Sequence, residues 1–250
     1  MFRRICLSIL LAALTIFLGK AQHMPFDSWG VGINAGLYGF GVQGATSLSP
    51  NFKLRTGIDY FTYTDKESRE FDVSVEYSGY QADTQARITD TKITFPNFKL
   101  MADFYPMPNG VFSITGGFYL GNNRASTNGI VDGYEALVDF LGEKPVLTYE
   151  DIAITPNDDG SFDGKLEMGN AIKPYFGIGV GRTIPRNKVG VRFELGMVYQ
   201  GKYSLSSSNI NETGEDWFDR LTDELDLPFS RSVLNWWPML NLSLTYRINK

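Results

Sequence analysis

The sequence predicts an all-β fold, an antiparallel up-and-down β-barrel of eight strands. Three observations predict it: a hairpin of strict alternation near the C-terminal half, an apolar leader, and an alternation of short turns with long connections. The hairpin runs from Lys173 to Leu205. Val189, Val191, Phe193, Leu195, Met197 and Tyr199 alternate with Gly190, Arg192, Glu194 and Gly196, and Val198 is the one exception. Phe176, Ile178 and Val180 alternate with Tyr175, Gly177, Gly179 and Gly181. Side chains of a strand point to opposite faces with period two, so each strand has one apolar face and one small-or-charged face. Pro185-Arg186-Asn187-Lys188 joins them as a polar turn.

The leader bears on which medium meets the apolar face. Arg3 and Arg4 precede a nearly unbroken apolar run, Ile5 to Leu18, which is shorter than the ~20 residues a membrane-spanning helix needs. Gly19-Lys20-Ala21 then places small residues where a signal peptidase reads, so residues 1–21 are expected to be a removed secretory signal, leaving 22–250 as a single barrel domain. The single cysteine, Cys6, leaves with the signal, which excludes the disulfide-stapled secreted class. Arg3, Arg4 and Lys20 leave too, and the loss of three cations takes the formal net charge from −5 to −8. Nucleic acid is therefore not an expected partner. No apolar run long enough for a spanning helix remains, but strands of a membrane barrel are half polar and escape that criterion.

Taken in order, alternating segments fall at 29–37, 39–48, 52–63, 92–106, 111–122, 172–184, 189–205 and 237–248, which are the eight expected spanning strands. A ninth, inside 71–91, is read as a hairpin extending beyond the membrane, since bacterial single-chain barrels have even strand counts. The alternative fuses 29–48 into one bent strand and lets 71–80 span. Turns at 48–51, 106–110 and 185–188 are short, whereas 64–91, 123–170 and 206–236 are long. Short turns on the periplasmic side and long loops outside are the pattern of outer-membrane barrels. The connection at Leu37-Tyr38-Gly39 departs from it by being very short without a favoured Asn-Gly turn. Trp29, Tyr38, Phe40, Tyr60, Tyr63, Phe104, Tyr199, Tyr203, Trp236, Trp237 and Tyr246 gather toward strand ends, where membrane girdles sit.

The stretches Gly36-Leu37-Tyr38-Gly39-Phe40-Gly41, Asp103-Phe104-Tyr105-Pro106, Lys173-Pro174-Tyr175-Phe176-Gly177-Ile178-Gly179 and Glu194-Leu195-Gly196-Met197-Val198-Tyr199-Gln200-Gly201 resemble small Gram-negative outer-membrane β-barrels of the OmpA and OmpW type. Leu242-Ser243-Leu244-Thr245-Tyr246-Arg247-Ile248 resembles the C-terminal strand read by barrel assembly machinery, although the chain ends Asn249-Lys250 rather than on an aromatic. The resemblance implies an exported outer-membrane protein, with outer-membrane lipid and the assembly machinery as partners. It implies a role as envelope component, adhesin, narrow pore or lipid enzyme without choosing among them.

Strand parity assigns Lys53, Arg55, Asp59, Lys99, Asp103, Arg192, Glu194 and Arg247 to the lumen. An eight-stranded barrel is just wide enough for side chains to fill, so a buried ion-pair network plugging it is expected. A narrow conducting path for small or apolar solutes is the competing reading. Catalysis is not expected, because the lone histidine, His23, stands beside the cleavage site, away from any strand. The three long connections hold 24 of the 28 acidic residues against 8 of the 23 basic ones, so the outer face should be acidic. Divalent cations or lipopolysaccharide are candidate partners there. Asn157–Asp163 loosely follows a calcium loop but lacks the first acid and the twelfth-position Glu, and reads as a plain acidic turn. No metal site and no cofactor is expected. Asn211 can cap a short helix in the last long outer loop, with Trp217, Phe218, Leu221 and Leu225 on one face as a rim-packed lid or recognition surface. A second helix is read from Tyr134 to Leu141. The expected function is a non-enzymatic envelope component with a filled lumen, acting through its acidic outer loops. The alternative is a narrow channel or transporter.

Overall fold

A computed structural model describes residues 25–77, 80–107, 109–149, 152–209 and 235–249. Strands β1 (Trp29–Gly36), β2 (Gly39–Ser47), β3 (Phe52–Asp65), β5 (Tyr80–Phe104), β6 (Phe112–Leu120), β11 (Ile172–Gly181), β12 (Val189–Tyr199) and β14 (Trp236–Arg247) pair antiparallel, each with the next in that order. β14 then pairs β1, so eight strands close into a ring. The start of β1, the end of β14 and the turns before β3, β6 and β12 lie at one end, here called the near end, and the long connections leave the ring at the far end.

Orientation follows the parity of the sequence. Val191 is 59% exposed whereas its neighbour Arg192 is 1% exposed. The same contrast sets Ile33, Val42, Ile58, Phe176, Ile178 and Leu242 outward and Asn34, Gln43, Asp59, Tyr175 and Asn241 inward. The apolar face thus covers the outside of the ring, opposite to a soluble barrel. Trp236 and Tyr246 are both exposed on the outward face of β14, ten residues apart. At ~3.3 Å per residue and a strand tilt near 40°, that separation projects to about 25 Å, the height of an outer-membrane barrel's apolar band.

The hairpin of β1 and β2 exists, which excludes the fused 29–48 strand. Gly36 pairs with Gly39, so Leu37 and Tyr38 alone make the turn. No Asn-Gly is needed because Gly39 supplies the positive φ, +97°, and a Cβ there would meet the carbonyl oxygen of Tyr60 at 2.2 Å. The turn tips Tyr38 into the lumen, where it is buried against Phe95 and Tyr119.

The far end differs from the expected loops. β5 has 25 residues, more than twice the 9–11 a tilted strand needs to cross a bilayer, so its first half stands clear of the ring. That half pairs with β4 (Arg69–Tyr77) as the expected protruding hairpin, and with β7 (Arg124–Val131) on its other edge. The 123–170 segment is not a loop. It contains β7, the helix α1 (Tyr134–Leu141), β8 (Leu147–Tyr149), β9 (Ile152–Ile154) and β10 (Ser161–Met168). β8 adds to β4, β9 to β8, and β10 to β7. The expected 189–205 strand is also two elements, because Gly201 at φ +85° ends the ring strand and β13 (Tyr203–Ser206) pairs with β10 instead. Val73, Val75, Ala86, Val131, Tyr134, Leu147, Ile154 and Phe162 form a core for this outer body, with Leu137 and Val138 of α1 packed on it. The helix expected on Trp217, Phe218, Leu221 and Leu225 falls outside the described residues.

Val191→Lys puts an ammonium on the outward face of the ring. It should cost about 2–4 kcal/mol of folding stability in lipid if that position lies near the bilayer midplane. Urea unfolding in liposomes measures the loss, and an unchanged midpoint contradicts the assigned orientation.

Candidate functional site

The inward face of the near half of the ring is a network of charged side chains. Asp103 on β5 and Glu194 on β12 are held between two guanidiniums. Arg55 on β3 donates from Nε to Asp103 Oδ2 at 3.2 Å, and from Nη2 to Asp103 Oδ1 at 3.2 Å and Glu194 Oε2 at 2.6 Å. Arg192 on β12 donates from Nη2 to the same two acids, at 3.1 Å to Asp103 Oδ1 and 2.6 Å to Glu194 Oε2. Its Nη1 donates to the Tyr105 hydroxyl at 2.8 Å and to Thr183 Oγ1 at 3.1 Å. Thr115 and Thr183 each donate to Asp103, at 2.7 and 2.5 Å, and Tyr175 donates to Glu194 Oε1 at 2.8 Å. A second knot lies beside it: Lys99 Nζ donates to both oxygens of Asp59, at 2.8 and 3.1 Å, and to Asn34 Oδ1 at 2.8 Å. Asn34 in turn donates to Asp59 at 2.7 Å.

Three cations thus meet three anions: Arg55, Arg192 and Lys99 with Asp59, Asp103 and Glu194. Both oxygens of Asp103 and of Glu194 accept hydrogen bonds, which is the condition under which charges persist inside a low-dielectric site. Arg192 and Glu194 are 1% and 2% exposed, packed among their hydrogen-bond partners. Room for these long side chains comes from inward glycines. A Cβ on Gly179 would lie 2.7 Å from Arg192 Nη2, and one on Gly196 would lie 2.5 Å from the Tyr175 hydroxyl.

Above this layer the lumen changes character. Tyr38, Phe95, Met101, Tyr119, Tyr175, Val198 and Met239 form a buried apolar cluster, with Trp237 packed against it. Val198 breaks the alternation of its strand for this reason: it points inward at the level where the lumen becomes apolar. Tyr119 meets Tyr38 and Tyr175 edge-on, with ring centres 5.0 and 5.7 Å away. Amides cover the cluster: Tyr38 and Asn123 both donate to Gln200 Oε1 at 3.2 Å, and Asn97 donates to Asn123 Oδ1 at 2.8 Å. Lys173, fully buried, donates to Asn97 Oδ1 and to the carbonyl of Gly121.

Of the eight residues that parity assigned to the lumen, six form the network. Lys53 and Arg247 do not join it. Lys53 sits at the near mouth and donates to Ser47 Oγ at 2.5 Å and the Ser49 carbonyl at 3.0 Å. Arg247 corrects the expectation more fully. It is the last residue of β14, paired with Gly30 at the near mouth, and its Nε turns away from the network to the carbonyl of Asn249 at 2.7 Å. Lys173 is the lumen cation that sequence reasoning missed. It shares parity with Tyr175 and Gly177, so that signal was present.

Among the described residues no cluster of three or more His, Cys, Asp or Glu is placed to hold a metal. The Asn157–Asp163 turn satisfies itself: Asp159 Oδ1 accepts from the backbone N–H of Ser161 at 3.0 Å and from its hydroxyl at 2.6 Å. Those two bonds hold the Asp159 carboxyl below its ordinary range. An apolar groove of about 790 Å³ lies on the outer wall, between Val31, Ile33, Val42, Ile58 and Phe98, where Gly44 and Thr56 leave the surface low. It is a dent in the apolar belt.

No protein-family model matches the chain, and no curated protein does. Among solved structures, the chain is similar to the crystal structure of Acinetobacter baumannii CarO2, at 19% identity and a TM-score of 0.50, over 90% of this chain and 100% of that one. It is also similar to that of Acinetobacter baumannii CarO, at 18% identity and a TM-score of 0.48, over 91% and 99%.

Asp103→Ala leaves Arg55 and Arg192 without one of their two acids. It should destabilise the folded barrel by about 3–5 kcal/mol, the usual loss on breaking a buried charge cluster. The measurement is the urea midpoint in liposomes, compared with Asp103→Asn. The amide keeps the shape and one acceptor oxygen, so although it loses the charge and sets an NH2 among donors, its loss should be the smaller of the two.

Proposed function

We propose that this chain is an integral outer-membrane β-barrel protein that neither conducts nor catalyses. Its barrel anchors a folded, acidic outer body that does the binding. The observation that carries this reading is the sealed waist: six fully paired charges reach across the ring where a pore would need water. The outward apolar band supports the membrane location, and the leader supports export. The second core supports a role outside, because a scaffold alone does not require β4, β7, β8, β9, β10 and α1 to fold over one end of the ring. The acid surplus of the far-end segments favours divalent cations, and through them the phosphates of lipopolysaccharide, as partners. All the lumen carboxylates are tied to cations, which leaves none free to act as a general acid or base.

A second reading, passage of apolar solutes, has one specific observation behind it. β1 and β2 stop at Gly36 and Gly39, whereas their neighbours β14 and β3 continue toward the far end. Beyond that stop, Phe61 and Tyr63 have inward parity yet are 36% and 55% exposed. The wall is low there, and a solute could enter sideways above the aromatic layer, although the ionic layer still closes the route below it.

Purified protein in planar bilayers should give no sustained ohmic steps. Reproducible steps of one conductance would overturn the sealed-lumen reading, and steps that appear only in a Glu194→Ala variant would support it.

A further inference from the structure

The near end of the barrel carries cations that neither the lumen network nor the outer body uses. Arg182 follows the last residue of β11, Arg186 and Lys188 lie in the turn before β12, and Arg247 ends β14. Arg182 and Arg186 converge on one residue of the turn before β6: Arg182 Nη2 donates to the backbone carbonyl of Asn109, and Arg186 Nη2 to its side-chain Oδ1 at 2.5 Å. Arg247 Nη1 lies 3.4 Å from the carbonyl of Arg186. Every one of these acceptors is a neutral amide oxygen. Asp103, the nearest acid in the lumen, is fully buried, with its oxygens taken by Arg55, Arg192, Thr115 and Thr183. Outside that network, Asp27 is the one carboxylate at this end among the described residues, and it acts on Lys53.

Two guanidiniums held on a single amide repel each other unless an anion lies between or beside them. Their depth says which anion can reach them. Val180, two residues before Arg182, and Val189, directly after Lys188, are exposed on the apolar belt, as are Val111 and Phe112 beside them. Trp29 and Tyr246 mark the same level as exposed aromatics. The cations therefore begin where the hydrocarbon belt ends, at the depth of lipid headgroups. Arginine's planar fork matches phosphate oxygens in pairs, and Asn109 presents two such forks already oriented.

We propose that Arg182 and Arg186, both held on Asn109, together with Lys188 from the same turn as Arg186, bind the phosphate of an anionic phospholipid in the leaflet at the near end. This rests on the membrane location proposed above. The near end is then the basic pole of a molecule whose far end is acidic, and lipid at the near end holds the barrel at a fixed depth.

The test is native mass spectrometry of the purified protein after exchange into mixed phosphatidylglycerol and phosphatidylcholine. The wild type should retain phosphatidylglycerol in preference, and Arg182→Gln, Arg186→Gln and Lys188→Gln should each lower the preference about fivefold, the scale of one basic side chain at an anionic membrane surface. A far-end control, Lys165→Gln, should leave it unchanged. No preference in the wild type, or an undiminished one in the triple variant, overturns the proposal. Displacement of the lipid by millimolar inorganic phosphate also overturns it, by showing a site for soluble anions. Mobility change on boiling in gels reports the folded barrel separately. If the wild type lacks that change and does not enter bilayers, the membrane reading fails. If those hold and selectivity is absent, only the lipid site fails.

Discussion

An eight-stranded ring has room inside for side chains and for little else, and whatever stands there must satisfy itself. That constraint governs most of what the inward residues do. Arg55 on β3 reaches Glu194 on β12, and these strands lie on opposite sides of the ring, so the 2.6 Å contact is a brace across its full width. Tyr105, at the end of β5, accepts the backbone N–H of Thr183 and a guanidinium N–H of Arg192, and so ties the near ends of β5, β11 and β12 together. Such braces demand long side chains from some strands and none from the strands they cross. Gly177, Gly179 and Gly196 lie where Tyr175 and Arg192 pass, and a methyl group at any of them would collide. The pairing of large inward residues with inward glycines is thus a single requirement distributed over two strands.

Two different kinds of closure are stacked in this lumen. The ionic layer is directional: Asp103 and Glu194 are each shared by two guanidiniums, and removing one partner strands the others in a medium where an unpaired charge is expensive. The aromatic layer above is closed by packing and shape, through edge-on contacts of Tyr38, Tyr119 and Tyr175 with Met101 and Met239 filling the gaps. Ion pairs alone would be open to water from the far end, which would weaken them by raising the local dielectric. The apolar layer shields them from that side. Val198 belongs to this argument, because an apolar inward residue on a strand whose other inward positions are Gly, Arg and Glu marks where one layer yields to the other.

The period-two pattern made the ring legible, and it set the orientation of every strand wherever one face was uniformly apolar. It also placed Arg55, Asp59, Lys99, Asp103, Arg192 and Glu194 together without any knowledge of their contacts. It did less at strand ends, where parity continues but the wall does not, and Lys53 and Arg247 show this. It did least beyond the membrane. β7 and β10 carry polar residues on both faces, as in Ser126-Thr127-Asn128 and Asp163-Gly164-Lys165, because both faces of much of that sheet meet water. Alternation has nothing to report in such a strand. Tyr38, expected among the girdle aromatics, lies in the lumen instead, because a turn residue has no parity and the closure of β1 on β2 by two residues sends its ring inward.

The ring also explains why the outer body can exist as an extension of the wall. β1 and β2 end at Gly36 and Gly39, but β5 keeps an edge on each side as it rises, and β4 and β7 take those edges. Each added strand leaves a new edge, which β8, β9, β10 and β13 occupy in turn. Unpaired edges invite association with other chains, so a wall that rises above the membrane must keep adding strands or stop abruptly. On the β1–β2 side it stops, and the wall is low. On the β5 side it continues, and a second core forms under Phe162 and Tyr134. The asymmetry of the far end follows from where two adjacent hairpins end, and with it the separation of a low rim from a raised body with its own core.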